Sequence, residues 1–239
     1  MIFYFIFLAT ILFLLSKEKI YGVGSFQIAW GLIFMLAALR FDVGYDYLQY
    51  FQLIEQSIKF IEDQLGRIEF LSLQLILFST NLKFTQLFFI VSSLIIYFLF
   101  YKTILDISDD KRLSTIVFLC FPLFYFNSLS IVRQFIALSI LFYGVRFIFR
   151  EKLVLFIALT VIASQFHSSA IFGIVLYFIY NIKFRPYLIF LLYIFSFFSS
   201  ELLGYIVLTF SEKYAIYITE IGGEGGSIIL VFIKLIGFF

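Results

Sequence analysis

The sequence has 239 residues, of which 63% are apolar and only 13% are charged, with a formal net charge of +2. A soluble globular domain is about 45–50% apolar and about 25% charged, so this composition excludes a soluble protein. One Cys and two Pro exclude a disulfide scaffold and a collagen-like chain, and the small net charge does not indicate a nucleic-acid partner. The composition predicts an all-α polytopic membrane protein.

Apolar stretches follow one another along the chain. A transmembrane helix needs about 20 apolar residues, and several stretches are shorter, which is typical of thin-bilayer spans or half-helices. The candidate spans are Ile2–Leu15, Phe26–Leu39, Phe70–Thr80, Phe84–Tyr101, Leu113–Phe126, Ile131–Phe149, Leu153–Phe166, Ser169–Tyr180, Tyr187–Phe210 and a last one starting at Ile228–Phe239. We expect a bundle of about eight to ten transmembrane helices, some short or re-entrant, in a single integral membrane domain over residues 1–239. Because the last stretch stops at Phe239, either the chain is truncated or its last helix ends just inside the bilayer.

Basic residues set the predicted orientation, because Lys and Arg favour the cytoplasmic side. The predicted cytoplasmic clusters are Lys17/Lys19, Lys102/Lys111/Arg112, Arg146/Arg150/Lys152 and Lys183/Arg185. The predicted outer loops are Arg40–Glu69, Asn127–Ser130, Gln165–Ser168 and the acidic, Gly-rich Ser211–Ser227. An odd number of crossings must separate Glu69 from Lys102, yet two apolar stretches lie between them. We therefore expect Phe70–Thr80 to be re-entrant or interfacial.

Ionisable residues beside a span are costly and indicate function, and the first pattern of them runs from Arg40 to Tyr50, after the second span. If a helix begins at Arg40, then Asp42 and Asp46 lie one turn apart on one face, with Tyr50 below them. Two carboxylates at this spacing can share a proton, bind a cation or position a sugar hydroxyl.

Two further outward patterns follow. The second runs from Phe121-Pro122 to Arg133-Gln134, where Arg133 opens a span from the outer side. The third is 165–169, Gln-Phe-His-Ser-Ser, which contains His167, the one histidine of the chain. An arginine at a span end can bind an anion, and an imidazole can donate to one or accept a proton.

Each of these residues also has a structural explanation. Arg40 and Arg133 can extend to the lipid head groups. Asp42 and Asp46 can be solvated loop residues, and His167 can be a hydrogen-bonded core histidine. The Cys and His content indicates no transition-metal site, although Asp42, Asp46 and water can bind Mg²⁺ loosely.

The three patterns occur together and in one order. In this combination the chain resembles the EpsG family of polysaccharide polymerases, the Wzy-type enzymes of O-antigen and exopolysaccharide synthesis. The shared elements are Arg-x-x-x-Gly-x-Asp-x-x-x-Tyr, Phe-Pro followed by Arg-Gln, and Phe-His-x-Ser-Ala. In this sequence they are Arg40, Gly44, Asp46 and Tyr50, then Phe121-Pro122 and Arg133-Gln134, then Phe166-His167-Ser168-Ser169-Ala170. The resemblance covers roughly residues 25–185, and relatives usually continue through further helices.

The resemblance implies a glycosyltransferase-type polymerase at the outer face of the bacterial cytoplasmic membrane. Its substrate is a polyprenyl-diphosphate-linked oligosaccharide, and the enzyme transfers the growing glycan from one carrier lipid to the next repeat unit. No cofactor is expected, because the sugar–diphosphate bond supplies the energy. The expected partners are membrane lipid, a chain-length regulator and a flippase.

This chemistry needs cations on the diphosphate and a base for the attacking hydroxyl. We assign Arg40 and Arg133 to the diphosphate. His167 is a second diphosphate donor or the general base, and Asp42 or Asp46 is the competing base. Gln134 and Tyr50 would position sugar hydroxyls.

Three other functions are compatible with a helical membrane protein that has sparse charges. A transporter or flippase for the same lipid would favour broken helices and internal repeats near the midplane, and no repeat is visible. A membrane acyltransferase that modifies surface polysaccharide would need its His beside an acid or Asn in a tighter motif. A non-catalytic assembly subunit would not need an outward set of Arg, His and Asp.

Overall fold

The computed structural model describes residues 2–17, 23–62, 68–121 and 123–180, with single residues between 182 and 194. The chain divides into two compact units, residues 1–181 and 182–239, and the helices below belong to the first. The predicted span Ile228–Phe239, the loop Ser211–Ser227 and nearly all of the span Tyr187–Phe210 lie outside the described residues, as does Pro122.

The described elements are all helical, and these ranges contain no β-strand. In chain order they are α1 (Ile2–Ser16), α2 (Val23–Ala38), α3 (Tyr47–Ile54), α4 (Ile58–Glu62), α5 (Phe70–Asn81), α6 (Gln86–Ile107), α7 (Lys111–Cys120), α8 (Tyr125–Ser130), α9 (Val132–Phe149), α10 (Leu153–Ser164), a 3₁₀ helix (Ser168–Gly173) and α11 (Ile174–Tyr180).

In the described part of the chain, α6 and α9 are the two helices that are long and apolar enough to span a membrane. Five further apolar segments are shorter: Tyr4–Ser16, Gly24–Ala38, Phe70–Asn81, Leu153–Ser164 and Ser168–Tyr180. The predicted all-α class is confirmed for the described residues. The predicted eight to ten spans stay a prediction.

Helices α6 and α9 form the centre of the first unit and run in the same direction. The Phe100 and Phe142 rings lie 5.0 Å apart between centroids, and Asp106 pairs with Arg146 further along both helices. At the other end, Tyr50 stacks on Phe88 of α6, with centroids 4.6 Å apart, and accepts a hydrogen bond from Arg133 of α9. We call this other end the site end.

The basic residues of the described helices are divided between these two ends. At the site end, Gln86 Nε2 donates to the carbonyl oxygens of Ala38 (2.6 Å) and Arg40 (3.1 Å), so α2 finishes where α6 begins. Arg133 lies at the same end, and Arg146 lies at the opposite end. The pattern of Lys and Arg in the sequence likewise places Arg133 and Arg146 on opposite sides of the predicted bundle.

Helix α5 begins and ends at the site end. Its first turn is tied to the loop after α10, because Leu71 N–H donates to the Gln165 carbonyl oxygen at 3.0 Å. After Asn81, a turn with Lys83 at φ 51° brings the chain to Gln86, which is already at the site end. The re-entrant or interfacial placement of Phe70–Thr80 stays a prediction.

Two predicted spans do not exist as continuous α-helices. Leu113–Phe126 is interrupted, since α7 ends at Cys120 and α8 begins at Tyr125. Phe121 has an extended backbone (φ −81°, ψ 115°), as a residue before proline should, and Pro122 cannot continue a helix. Ser169–Tyr180 begins instead as a 3₁₀ helix and becomes α-helical at Ile174.

Candidate functional site

Residues 40–46 form a loop, so the condition under which Asp42 and Asp46 would share a helical face is not met. Helix α3 begins at Tyr47, and Asp42 and Gly44 have φ of 50° and 102°. An α-helix of L-residues cannot continue through positive φ, so the predicted single helical face for Asp42 and Asp46 is wrong. Asp42 is exposed, whereas Asp46 is half-buried immediately before α3.

Gly44 lets this loop lie directly against the end of α8. A Cβ atom at Gly44 would overlap the Leu129 carbonyl oxygen, and the neighbouring Tyr45 N–H donates to Ser130 Oγ at 3.3 Å. Only glycine combines this approach with the positive φ. The contact fixes where α3 begins and therefore where Tyr50, one turn into α3, meets Arg133.

Arg133, in the first turn of α9, is the centre of the candidate site. Its Nε donates to Tyr50 Oη at 2.8 Å, and its Nη1 donates to Glu69 Oε2 at 2.7 Å. The Arg133 side chain is 27% exposed and the Glu69 side chain 13%. The guanidinium is thus oriented by two partners from separate segments, and part of it stays accessible.

Glu69 connects Arg133 to the third sequence pattern. Its Oε1 accepts a hydrogen bond from the Ser168 backbone N–H at 3.1 Å and lies 3.7 Å from His167 Nδ1. The loop is further fixed by Ser72 Oγ, which donates to the Phe166 carbonyl oxygen at 2.9 Å. The His167 side chain, like that of Arg133, is 27% exposed.

The two carboxylates near Arg133 have pKa values shifted in opposite directions. Burial alone would raise the pKa of Glu69, but the Ser168 N–H, the residue's own N–H and the charges of Arg133 and His167 bring this pKa below its usual range. Burial raises the pKa of Asp46 by more than the charge of Arg133 lowers it. Glu69 is therefore ionised near neutral pH, and Asp46 accepts a proton more readily than an ordinary aspartate.

The structure brings together Arg133, Tyr50 and His167, and Asp46 interacts electrostatically with Arg133. Tyr50 supports the guanidinium, since its hydroxyl accepts from Arg133 and only 7% of the residue is exposed. Asp42 is exposed on the loop, and Gln134 is exposed in the first turn of α9.

Arg40 is buried apart from this cluster. Only 5% of it is exposed, its Nη1 donates to the Ala37 carbonyl oxygen at 3.0 Å, and its guanidinium lies 4.7 Å from the centroid of the Phe89 ring. Its Nε and Nη2 have no hydrogen-bond partner in the described residues. In the described residues Arg40 makes no hydrogen bond to Arg133, Tyr50 or Glu69, and its assignment to the diphosphate stays a prediction.

Glu69 is the residue that the sequence reasoning missed. It immediately precedes the apolar stretch of α5, where the positive end of the helix dipole favours a carboxylate. Its position before an apolar stretch is the only sign of this role in the sequence. Among the sequence predictions Glu69 appears only as the last residue of an outer loop. Its partners come from 64 and 99 positions away, so the pairing is not visible locally.

The arrangement is suited to anion binding and proton transfer. A guanidinium, a backbone N–H and an imidazole face one carboxylate position, and Asp46 lies nearby. In the described ranges, no group of three or more His, Cys, Asp or Glu side chains could bind a metal ion.

Comparison with known proteins gives a family assignment. No match was found to a curated protein or to a solved structure. The family model of the EpsG family matches residues 23–239, a range that contains the whole cluster around Arg133. This confirms the resemblance carried by the three sequence patterns. The chain belongs to the EpsG family.

Proposed function

We propose that this protein polymerises lipid-linked oligosaccharide repeat units at the outer face of the bacterial cytoplasmic membrane. EpsG membership supports a role in polysaccharide biosynthesis, and together with the two long apolar helices it indicates a membrane protein. The observation that carries the proposal is the half-buried Arg133, oriented by Tyr50 and Glu69 beside His167.

In the proposed reaction, a hydroxyl oxygen of the next repeat unit attacks the anomeric carbon of the growing glycan. The new C–O bond forms while the C–O bond to the polyprenyl diphosphate breaks, and the diphosphate leaves as an anion. Arg133 binds this diphosphate. A pre-oriented guanidinium away from bulk water stabilises the developing charge by several kcal/mol, and its planar fork suits phosphate oxygens.

The proton of the attacking hydroxyl passes to a base near Arg133. His167 and Asp46 are the two candidates that this geometry supports, and Asp42, which is exposed on the loop, is less favoured. A base of this kind contributes typically about 10²–10⁴-fold to the rate. Gln134, exposed beside Arg133, is available for a sugar hydroxyl.

Complementation tests this proposal. The gene is deleted in its own strain, the wild-type chain or a variant is returned, and surface polysaccharide is separated on a gel. The informative variants are Arg133→Ala and His167→Ala. Arg146→Ala is the matched control, because Arg146 is also ion-paired, with Asp106, but lies at the opposite end of α9. Protein in the membrane fraction is quantified for each variant.

The proposal predicts a ladder that collapses to single repeat units in the deletion strain. Wild-type protein and Arg146→Ala should restore the ladder, while Arg133→Ala and His167→Ala should not, at equal membrane abundance. If the deletion stops even single-unit product from reaching the surface, the protein moves the lipid instead of extending the glycan. An unchanged ladder with altered decoration would favour an acyltransferase.

A further inference from the structure

The Glu69 carboxylate occupies the centre of an anion-binding arrangement. Its Oε2 accepts from Arg133 Nη1 at 2.7 Å, its Oε1 accepts from the Ser168 backbone N–H at 3.1 Å, and His167 Nδ1 lies 3.7 Å from the same Oε1. These groups come from α9 and from the start of the 3₁₀ helix. They are the kinds of donor that a phosphate group also uses.

The arrangement is partly open. The Arg133 and His167 side chains are each 27% exposed, and Ser168 is exposed. An incoming anion can therefore reach the donors from outside, at the positions that the carboxylate oxygens now hold. Two anions cannot share these donors without strong repulsion, so binding there requires Glu69 to withdraw.

Glu69 is placed so that it can withdraw without unfolding its surroundings. It precedes α5 with an extended backbone (φ −64°, ψ 147°), and the helix behind it is fixed separately by Leu71 N–H on the Gln165 carbonyl oxygen and by Ser72 on the Phe166 carbonyl oxygen. A rotation of the Glu69 side chain alone would free Arg133 and the Ser168 N–H.

We propose that Glu69 is a positioning residue whose carboxylate occupies the diphosphate site in the absence of substrate and is displaced by the substrate's phosphate group. Before binding, the carboxylate engages Arg133, the Ser168 N–H and His167, and the phosphate group must displace it to reach these donors. This inference rests on the proposed function for the identity of the natural anion. The anion site itself does not depend on it.

The two possible roles of Glu69, a displaced competitor or a purely structural residue, predict opposite changes in anion affinity when Glu69 is replaced by Gln. If Glu69 competes with the ligand, Glu69→Gln removes the competitor and tightens anion binding. If Glu69 only maintains the shape of the site, the same substitution loosens Arg133 and weakens binding. A carboxylate that occupies the donors about 80% of the time leaves about one fifth of the protein competent and so weakens the apparent affinity about 5-fold.

The test uses the full chain purified in detergent, with inorganic diphosphate and farnesyl diphosphate as separate probes in titration calorimetry. Glu69→Gln should bind both probes at least about 5-fold tighter than wild type, as expected when a carboxylate that blocks most of the sites is removed. Arg133→Met should lose binding. Glu55→Gln, which removes an exposed carboxylate at the end of α3, should bind like wild type and controls for net charge.

Thermal unfolding is recorded for every variant so that a folding defect is recognised. If Glu69→Gln does not fold, Glu69→Asp replaces it, because the shorter carboxylate cannot reach Arg133 Nη1 equally well and should also bind diphosphate more tightly than wild type. Unchanged or weaker binding by a folded Glu69 variant would overturn the inference. So would the absence of diphosphate binding in wild type and variants alike.

The complementation result is independent of this one. Tighter diphosphate binding by Glu69→Gln together with an unchanged polysaccharide ladder in the deletion strain would keep the displaced-carboxylate site and reject the polymerase. A ladder that collapses in the deletion strain, together with weaker diphosphate binding by Glu69→Gln, would keep the polymerase and reject the displaced carboxylate.

Discussion

Arg133 and Glu69 are separated by 64 positions in the chain, and their side chains meet at 2.7 Å. The contact joins the first turn of α9 to the residue that precedes α5. The second carboxylate oxygen of Glu69 contacts the Ser168 N–H and lies near His167. Two of the sequence patterns are therefore joined through a residue that belongs to neither of them.

Replacing Arg133 with Lys should abolish or strongly shorten the polysaccharide ladder although the positive charge remains. A single ammonium cannot donate to Tyr50 and Glu69 with the geometry of the guanidinium fork. Loss of one oriented donor in a reacting site costs about 10²–10³-fold in rate. The measurement is chain length on a gel, normalised to protein in the membrane fraction.

Arg146→Lys is the matched control for this substitution, since Arg146 is paired with Asp106 at the opposite end of α9. It should leave the ladder unchanged. Equal ladders from the Arg133→Lys and Arg146→Lys strains would show that the guanidinium geometry at Arg133 is not used.

Helix α9 and the start of α6 follow directly from apolar length, whereas the prediction of Leu113–Phe126 as one span misses the break before α8, although proline cannot continue a helix. The basic residues at the ends of these helices also predict which loops share one end of the bundle. These features are local in sequence, or depend on one property summed along a helix, so a single sequence is sufficient to predict them.

The role of Glu69 and the burial of Arg40 could not be predicted in this way. Both depend on which distant segments meet, and the position of Glu69 before α5 does not identify its partners. The start of α3 at Tyr47 depends on positive φ at Asp42 and Gly44. Asp tolerates that conformation but does not require it, so the expected helix from Arg40 was also compatible with the sequence.

Gly44→Ala should destabilise the protein and disturb the site. The new Cβ would overlap the Leu129 carbonyl oxygen, and alanine is strained at φ 102°. Backbone strain of this kind costs about 1–3 kcal/mol. Gly31→Ala is the control, since nothing lies within 4 Å of its Cβ position in α2, and alanine is favoured over glycine in a helix. The melting temperature should fall for Gly44→Ala and not for Gly31→Ala. An unchanged melting temperature of Gly44→Ala would contradict the close approach of Gly44 to Leu129.

Tyr50→Phe should reduce polymer length and also lower the stability. The ring can keep its stack on Phe88, but Arg133 Nε loses its acceptor, and an unpaired buried donor costs about 1–3 kcal/mol. Tyr125→Phe is the matched control, because the buried Tyr125 hydroxyl has no hydrogen-bond partner in the described residues. That variant should be as stable as wild type and make a normal ladder. Equal effects of the two substitutions would contradict the support that Tyr50 gives to Arg133.

Arg40→Met should fold and should retain the polysaccharide ladder. The guanidinium is buried against Phe89 with two nitrogens unpaired, and it forms no ion pair within the described ranges. Replacing a buried charge by an apolar side chain of similar length is often neutral or stabilising. Ladder length and melting temperature are measured together. A ladder that collapses in a stable Arg40→Met protein would show that Arg40 binds the diphosphate as the resemblance implies.

The two carboxylates near Arg133 should respond to pH with opposite signs. The pKa of Glu69 lies below its unfolded value of about 4.3, so its charge stabilises the folded state at higher pH, and that contribution is lost as the pH falls through the folded pKa. The pKa of Asp46 is raised above its unfolded value of about 3.9, so the protonated form favours folding and the contribution is lost as the pH rises through the folded pKa.

At pH 7, Glu69→Gln should therefore unfold at a lower temperature than wild type, and Asp46→Asn at the same or a higher temperature. The Asp46→Asn difference should shrink first, as the pH falls through the raised folded pKa of Asp46. The Glu69→Gln difference should shrink only below about pH 4.3, as the pH falls through the lowered folded pKa of Glu69. Thermal unfolding in detergent from neutral to acidic pH measures this. A destabilisation by Glu69→Gln that is equally large at low pH would mean that the carboxylate's charge, and with it the pairing to Arg133, does not stabilise the fold.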